Sequence, residues 1–136
     1  EAKGISASVN TDPESPMYRS YIALHAAFPS GQSVVVKGTL MGIRMVEKII
    51  AIDNFDLDLP PTENLLFLRY SDKPGVVGIV GQSLGSANVN IAGMQVARSE
   101  NGKEAFMAIT VDSTVASDVV SAITKETGAG LVRAES

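Results

Sequence analysis

The spacing of apolar and polar residues divides the chain into two parts with different patterns. From Ile5 to Leu59, apolar residues recur in short alternating runs separated by turn residues, which is typical of antiparallel strands. Pro29-Ser30-Gly31 and Asp53-Asn54 each interrupt such a run, and both combinations favour tight turns. The sequence therefore predicts two hairpins after an initial strand at Ile5. Their strands are predicted over Tyr21–Phe28, Ser33–Leu40, Ile50–Ile52 and Phe55–Leu59.

The second part alternates strand-like and helix-like patterns. Pro74-Gly75 favours a helix start, Asn101-Gly102 favours a hairpin turn, and a slip of the apolar phase at Ala92-Gly93 suggests a β-bulge. The predicted order is βαββαβ, the ferredoxin-like arrangement. Its elements are a strand over Leu65–Tyr70, a helix through Val76, Val77, Val80 and Leu84, strands over Val89–Ala97 and Phe106–Val111, a helix bearing Val115, Val119 and Ile123 with Ser113 or Thr114 as its cap, and a strand over Leu131–Ala134.

The two patterns meet at Pro60-Pro61, which removes two backbone donors and stiffens the chain. We therefore expect a domain boundary within Leu59–Glu63. The predicted class is α+β, with an antiparallel β-rich part over residues 1–62 and a βαββαβ part over residues 63–136.

Composition removes several classes of function. With 45% apolar and 19% charged residues the chain is globular, and its net charge of −4 has no basic stripe, so nucleic acid is not an expected partner. No Cys is present, which excludes disulfides, thiolate nucleophiles and Cys-ligated metals. Apolar runs such as Leu65–Leu68 are far shorter than the ~20 residues that span a bilayer, so we expect no membrane partner and a cytoplasmic protein. Because it begins at Glu1 without a Met, we expect a piece of a longer protein.

The densest group of candidate functional residues runs from Tyr70 to Gly75, where a strand meets a helix. The helix N-terminus suits a carboxylate, and Asp72 beside it suits an ammonium group, so together they match the zwitterionic part of an amino acid. Asn90 on the next strand offers an amide. The alternative is that Asp72 only caps the helix and Pro74-Gly75 only forms a turn.

Catalytic and metal sites have little support. His25 is the single His, it lies in a strand pattern, and no Cys is there for it to activate, so a structural role is expected. Asp53, Asp56 and Asp58 lack the spacing of a calcium loop and are expected to form a solvated hairpin. The glycines around Gly78 carry no phosphate-loop or dinucleotide fingerprint. We therefore predict no catalytic residue and no metal ligand.

Several runs closely resemble one family, the bacterial D-3-phosphoglycerate dehydrogenases. Their ACT domain is matched by Leu66–Gly78 and Asn88–Val96, and the end of the intervening domain that precedes ACT in the long form is matched by Val36–Gly42, Val46–Ile50 and Phe55–Leu59. The Asp-x-Pro-Gly core alone is shared by many ACT domains, but the two-part match is more specific and covers nearly the whole chain. Residues 1–62 would be part of the intervening domain and residues 63–136 the ACT regulatory domain.

The resemblance implies a function for the parent enzyme, which oxidises 3-phosphoglycerate with NAD in the first committed step of serine synthesis. In that family L-serine feeds back through the ACT domains and binds between two of them. This chain would then be a non-catalytic L-serine-sensing fragment of a homo-oligomer, without a cofactor of its own. The effector-binding residues implied by position or by neighbourhood are Tyr70, Asp72, Lys73, Pro74, Gly75, Val76 and Val77 from one chain, and Asn90 and Ile91 from the other.

Two further readings stay open. The ACT pair could serve dimerisation without binding an effector, or the chain could come from the beta portion of an iron-sulfur L-serine dehydratase, which resembles the same two-domain pairing. One departure from the family also matters. Some relatives carry basic residues on the hairpin around Asp56 and use them in a second, anion-binding site, whereas acidic Asp58 here puts that site in doubt.

Overall fold

A computed structural model describes residues 5–11 and 20–135 of the chain, with side chains described over 6–9 and 20–130. The chain divides into two compact units, the first ending at Pro61 and the second beginning at Thr62. In chain order the elements are β1 (Ile5–Thr11), β2 (Ser20–Ala27), β3 (Ser33–Met41), β4 (Val46–Ile52), β5 (Phe55–Leu59), β6 (Asn64–Ser71), α1 (Val76–Ser86), β7 (Ile91–Arg98), β8 (Glu104–Val111), α2 (Ser117–Thr127) and β9 (Gly130–Glu135).

The first unit is a five-stranded antiparallel sheet in the order β1-β2-β3-β4-β5. Both predicted hairpins are confirmed. The turn between β2 and β3 contains Gly31 with φ 85°, and the two-residue turn between β4 and β5 contains Asp53 with φ 51°. The Asp53 side chain ties this turn to β3, because its Oδ1 accepts a hydrogen bond of 2.9 Å from the backbone N–H of Val35.

One face of this sheet is apolar along its whole width but is buried at one edge only. Ile52 and Phe55 are 2% and 1% exposed, whereas Ile22 and Leu24 on the same face are 50% and 44% exposed. The alternation predicted for β2 therefore identified the strand and its apolar face. It did not identify which apolar residues are buried, because alternation shows the face on which a residue lies and not whether that part of the face is covered.

The second unit has the predicted βαββαβ order and folds into a four-stranded antiparallel sheet, β7-β8-β6-β9. This is the ferredoxin-like topology, and it confirms the α+β class. The hairpin turn at Asn101-Gly102 is also present, with Gly102 at φ 66°. Alternate residues of the central strands form one core with residues of the two helices. From the strands the core contains Leu66, Leu68, Tyr70, Ala105, Met107, Ile109 and Val111, and from the helices it contains Val76, Val80, Leu84 and Ile123.

The two helices have 11 residues each, and none in the described residues is long and apolar enough to cross a membrane. Helix α1 begins at Val76. The preceding residue, Gly75, has a φ of 92°, a conformation that favours glycine. Val76, Val80 and Leu84 recur every fourth residue and are at most 1% exposed, which fixes the helix on the sheet.

The predicted start of α2 was wrong. The helix begins at Ser117 with Ala116 as its N-cap, and no side chain caps it. The two hydroxyls expected to cap it are engaged elsewhere: Ser113 Oγ donates to Asp112, and Thr114 Oγ1 lies 3.5 Å from Asn64 Oδ1. Val115 is buried at 2% exposure although it precedes the helix. An apolar residue is present at this position because it packs in the core, and not because it belongs to the helical pattern.

The predicted bulge in β7 is confirmed. The register with β8 shifts between Ile91 and Gly93, and as a result Ile91 and Met94 both pack against the core although they are three residues apart. A regular strand would have placed them on opposite faces. A side chain at Gly93 would meet Thr110 Oγ1 at 2.9 Å, which explains the glycine at this position.

We expect Leu84→Ala to destabilise the second unit by about 2–5 kcal/mol, because Leu84 is fully buried and the cavity would be only partly refilled. Val77→Ala on the same helix is the matched control, since Val77 is 49% exposed and its loss should change stability by less than about 0.5 kcal/mol. Amide hydrogen exchange of β8 measures both. Equal effects of the two substitutions would contradict the packing described.

Candidate functional site

The connection from β6 to α1, residues 72–75, leaves the start of the helix uncapped. Gly75 is the N-cap residue and has no side chain, and the first turn contains no acidic residue. The first intrahelical bond runs from Ile79 N–H to Gly75 O, so the N–H groups before Ile79 have no intrahelical acceptor. Together with the helix dipole they form a position that favours an anion.

Asp72 does not act as a helix cap. Its backbone N–H donates to Lys103 O at 2.9 Å, which holds the residue against the β7–β8 hairpin. Its carboxylate accepts a hydrogen bond from Arg98 Nε, with Oδ2 2.5 Å from the nitrogen. The capping alternative for Asp72 was therefore wrong, because the strand pairing turns the carboxylate toward β7.

Tyr70 completes a group of three ionisable side chains with Asp72 and Arg98. The ring is buried at 5% exposure on the helix side of the sheet. Burial raises the pKa of Tyr70, the neighbouring Asp72 carboxylate raises it as well, and the Arg98 guanidinium opposes them. The phenol is thus held in its neutral form, which can both donate and accept a hydrogen bond.

Arg98 was not among the residues singled out from the sequence. It is the last residue of β7, and its side chain is 69% exposed while that of Asp72 is 15% exposed. An ion pair with one such exposed partner contributes only about 0–1 kcal/mol to stability, so it can rearrange when a ligand arrives. Arg69 is closer in sequence but belongs to the opposite face, where Nε and Nη2 bind both carboxylate oxygens of Glu104 at 3.2 and 2.8 Å.

The remaining residues predicted around this group lie at the same end of the sheet, in and just after the connection. Lys73 and Pro74 are exposed, and Val77 in the first turn of α1 is 49% exposed. Val76 is 1% exposed and packs in the core, so only its backbone N–H could face a ligand. The structure therefore brings Tyr70 and the 72–77 segment together.

Asn90 and Ile91 lie at the opposite end of the sheet. Asn90 is held beside Asp112 by two bonds, N–H to Oδ1 at 3.0 Å and carbonyl to N–H at 3.1 Å. Asn90 precedes β7 and Arg98 is its last residue, which separates them by roughly 25 Å at the rise of an extended strand. Within one chain, Asn90 and Asp72 cannot contact the same small ligand.

The other residues considered in the sequence, His25 and the acidic residues of the β4–β5 hairpin, lie outside this group. His25 is exposed on β2, and Asp58 lies 2.9 Å from Lys48 Nζ in an ion pair on the β4–β5 hairpin. Among the described residues, no group of three or more His, Cys, Asp or Glu side chains could hold a metal ion. Lys48 is thus already engaged with an acid on the hairpin where Asp58 put an anion site in doubt.

Comparison with known proteins agrees with this architecture. Residues 64–128 match the ACT domain family. Over 121 residues the chain is 37% identical to the D-3-phosphoglycerate dehydrogenase of Mycobacterium leprae, covering 89% of this chain and 23% of that protein. The enzyme of the same name from Synechocystis is 41% identical over 60% of this chain and 15% of its own length, and that of Bacillus subtilis is 40% identical over 57% and 15%. The chain therefore spans less than a quarter of these relatives.

The ionisable group makes a prediction for the Tyr70 phenol. Asp72→Asn should lower the pKa of Tyr70 relative to the unaltered protein, because it removes a repelling carboxylate and leaves the Arg98 charge uncompensated. Arg98→Gln should raise the pKa of Tyr70 above that in the unaltered protein, because it removes the charge that lowers this pKa. The measurement is phenolate absorbance against pH, with a Tyr70→Phe variant subtracted to remove the other two tyrosines. An identical Tyr70 pKa in all three proteins would show that the side chains are not close.

Proposed function

We propose, from the match of residues 64–128 to the ACT domain family, that the chain is an amino-acid-sensing regulatory part of an NAD-dependent D-3-phosphoglycerate dehydrogenase. The relatives carry the name D-3-phosphoglycerate dehydrogenase. The effector that we propose is L-serine. Residues 63–136 would sense the amino acid, and residues 1–62 would end the intervening domain. NAD and the catalytic residues would lie elsewhere in the enzyme, in the cytoplasm.

The observation that carries this proposal is the position of Asp72 beside an uncapped helix start. The carboxylate Oδ1 of Asp72 is left for the α-ammonium of an amino acid, since Oδ2 is the atom bound to Arg98. The N–H groups of the first turn of α1, at Val76 and Val77, suit the α-carboxylate. The neutral phenol of Tyr70 adds a hydrogen-bonding group for a hydroxyl such as that of serine.

Asn90 would reach this site from a second copy of the chain. Strand β7 is at the edge of its sheet, so one row of its backbone groups is open to pairing with another strand. If two copies join antiparallel along β7 about a two-fold axis, the start of one β7 lies beside the end of the other. Such pairing would bring Asn90 and Ile91 of one copy next to Arg98 and Asp72 of its partner, and would remove the separation of roughly 25 Å within one chain.

Regulation would follow from this shared site. An effector that contacts both copies binds the paired arrangement more strongly than any arrangement in which the copies separate or shift. Coupling of this kind typically amounts to about 1–3 kcal/mol, which changes activity several-fold without any chemistry in the sensing domain.

The Asp72–Arg98 ion pair favours one alternative, an ACT pair that only dimerises. In that case the guanidinium permanently occupies the acid that an ammonium would need. The two functions differ in their response to substitution, because Asp72→Ala would leave both assembly and all ligand titrations unchanged in a module that only dimerises.

We expect L-serine to bind with measurable heat in isothermal titration calorimetry, and Asp72→Asn to weaken this binding by about tenfold to a hundredfold, as expected for a lost charged hydrogen bond. Asp118→Asn is the control, because Asp118 is an exposed acid of equal charge in the first turn of α2. If neither L-serine nor other small amino acids produce heat while the protein is dimeric, the sensing function is wrong and the dimerisation module is supported.

A mixing experiment tests whether the site is shared. Asp72→Asn and Asn90→Ala should each bind weakly alone, but mixed dimers contain one site with both residues intact. An equimolar mixture that exchanges freely should recover about a quarter of the original sites by random pairing. Normal binding by Asn90→Ala alone, or no recovery in a mixture whose exchange is confirmed by mass spectrometry, would contradict a site shared between two copies.

A further inference from the structure

Among the described residues, Arg98 is the cation that is hydrogen-bonded to Asp72, at the predicted ammonium position. Only its Nε is used by Asp72, and within the described part of the chain the structure gives its Nη groups no hydrogen-bond acceptor. Its side chain is 69% exposed, so these donors are accessible to a ligand. Tyr70, the third member of the group, is neutral and does not alter the charge.

This pairing changes what the site attracts. An isolated carboxylate would bind any amine, including one that carries no acid group. With Arg98 beside it, Asp72 belongs to a pair whose net charge is zero, and the start of α1 adds a partial positive charge. An incoming ammonium is then repelled by Arg98 as well as attracted by Asp72, and the balance becomes favourable only when the ligand also brings an anion.

We propose that Arg98 is a specificity-determining residue of this site, which makes binding depend on the carboxylate of the effector and excludes amines of net positive charge. The inference rests on the proposed function, since it describes selectivity at the same site. It adds a residue to the set expected from the sequence and a chemical class that the site rejects.

Arg69, the arginine of β6, is not placed to substitute for Arg98. Arg69 is tied to Glu104 by two bonds on the opposite face. Arg69→Gln is therefore a matched control. It removes one positive charge from the same end of the sheet but lies on the face opposite the site. Arg98→Lys keeps the charge but not the planar group, and it separates the effect of charge from that of geometry.

The test compares each amino acid with its amide, which keeps the amine and the side chain but lacks the carboxylate. Calorimetric affinities of L-serine and L-serinamide, L-alanine and L-alaninamide, and glycine and glycinamide are measured at pH 6.5, where the amides are mainly cationic. In the unaltered protein the amino acid should bind more tightly than its amide. Arg98→Gln should reduce this preference roughly fivefold to tenfold, as expected for one charge at a few ångströms.

Arg98→Lys should retain most of the preference, and Arg69→Gln all of it. If amino acids bind but Arg98→Gln leaves the ratio of amino acid to amide affinity unchanged, the role of Arg98 is refuted while the sensing function stands. If no amino acid of the three pairs binds the unaltered protein, both the function and the inference that rests on it are refuted.

Discussion

The antiparallel pairing of β6 with β8 is the constraint on which the second unit depends. Its register sets Leu68 opposite Met107 and Tyr70 opposite Ala105, so that one face carries the core that receives both helices. Because side chains alternate with a period of two, a slip by one residue would turn this face outward. The same slip would move Asp72 away from Arg98. Folding and the candidate site therefore share one cause, the burial of the inner face of two central strands.

Much of the fold follows from local signals in the sequence. Gly75 and Gly128 end or begin helices at positive φ, and the phase slip at Ala92-Gly93 corresponds to a real bulge. The start of α2 could not be read in the same way. Val115 looks like the first apolar residue of a helix, but it is buried because of its place over the core, and local pattern does not distinguish the two.

The candidate site was only partly accessible from sequence. Tyr70, Asp72 and Gly75 stand close together along the chain, so their proximity requires no tertiary structure. Arg98 is 26 residues beyond Asp72, and an exposed arginine at a strand end carries no local signal. The strand pairing brings it to the site, because β8 pairs with both β6 and β7, and Ala105 lies opposite both Tyr70 and Arg98. What sequence lacked was the register and not the residue type.

The bulge at Ala92 also has a consequence for how far strand addition can proceed. It interrupts the regular geometry of β7 near its first residue, which leaves Gly93–Arg98 as the straight stretch of this edge. A strand added there would find a short ladder with a defined end, and sliding along it would soon meet the irregular backbone. Such an edge would restrict the register of any added strand and discourage the open-ended stacking that leads to fibrils.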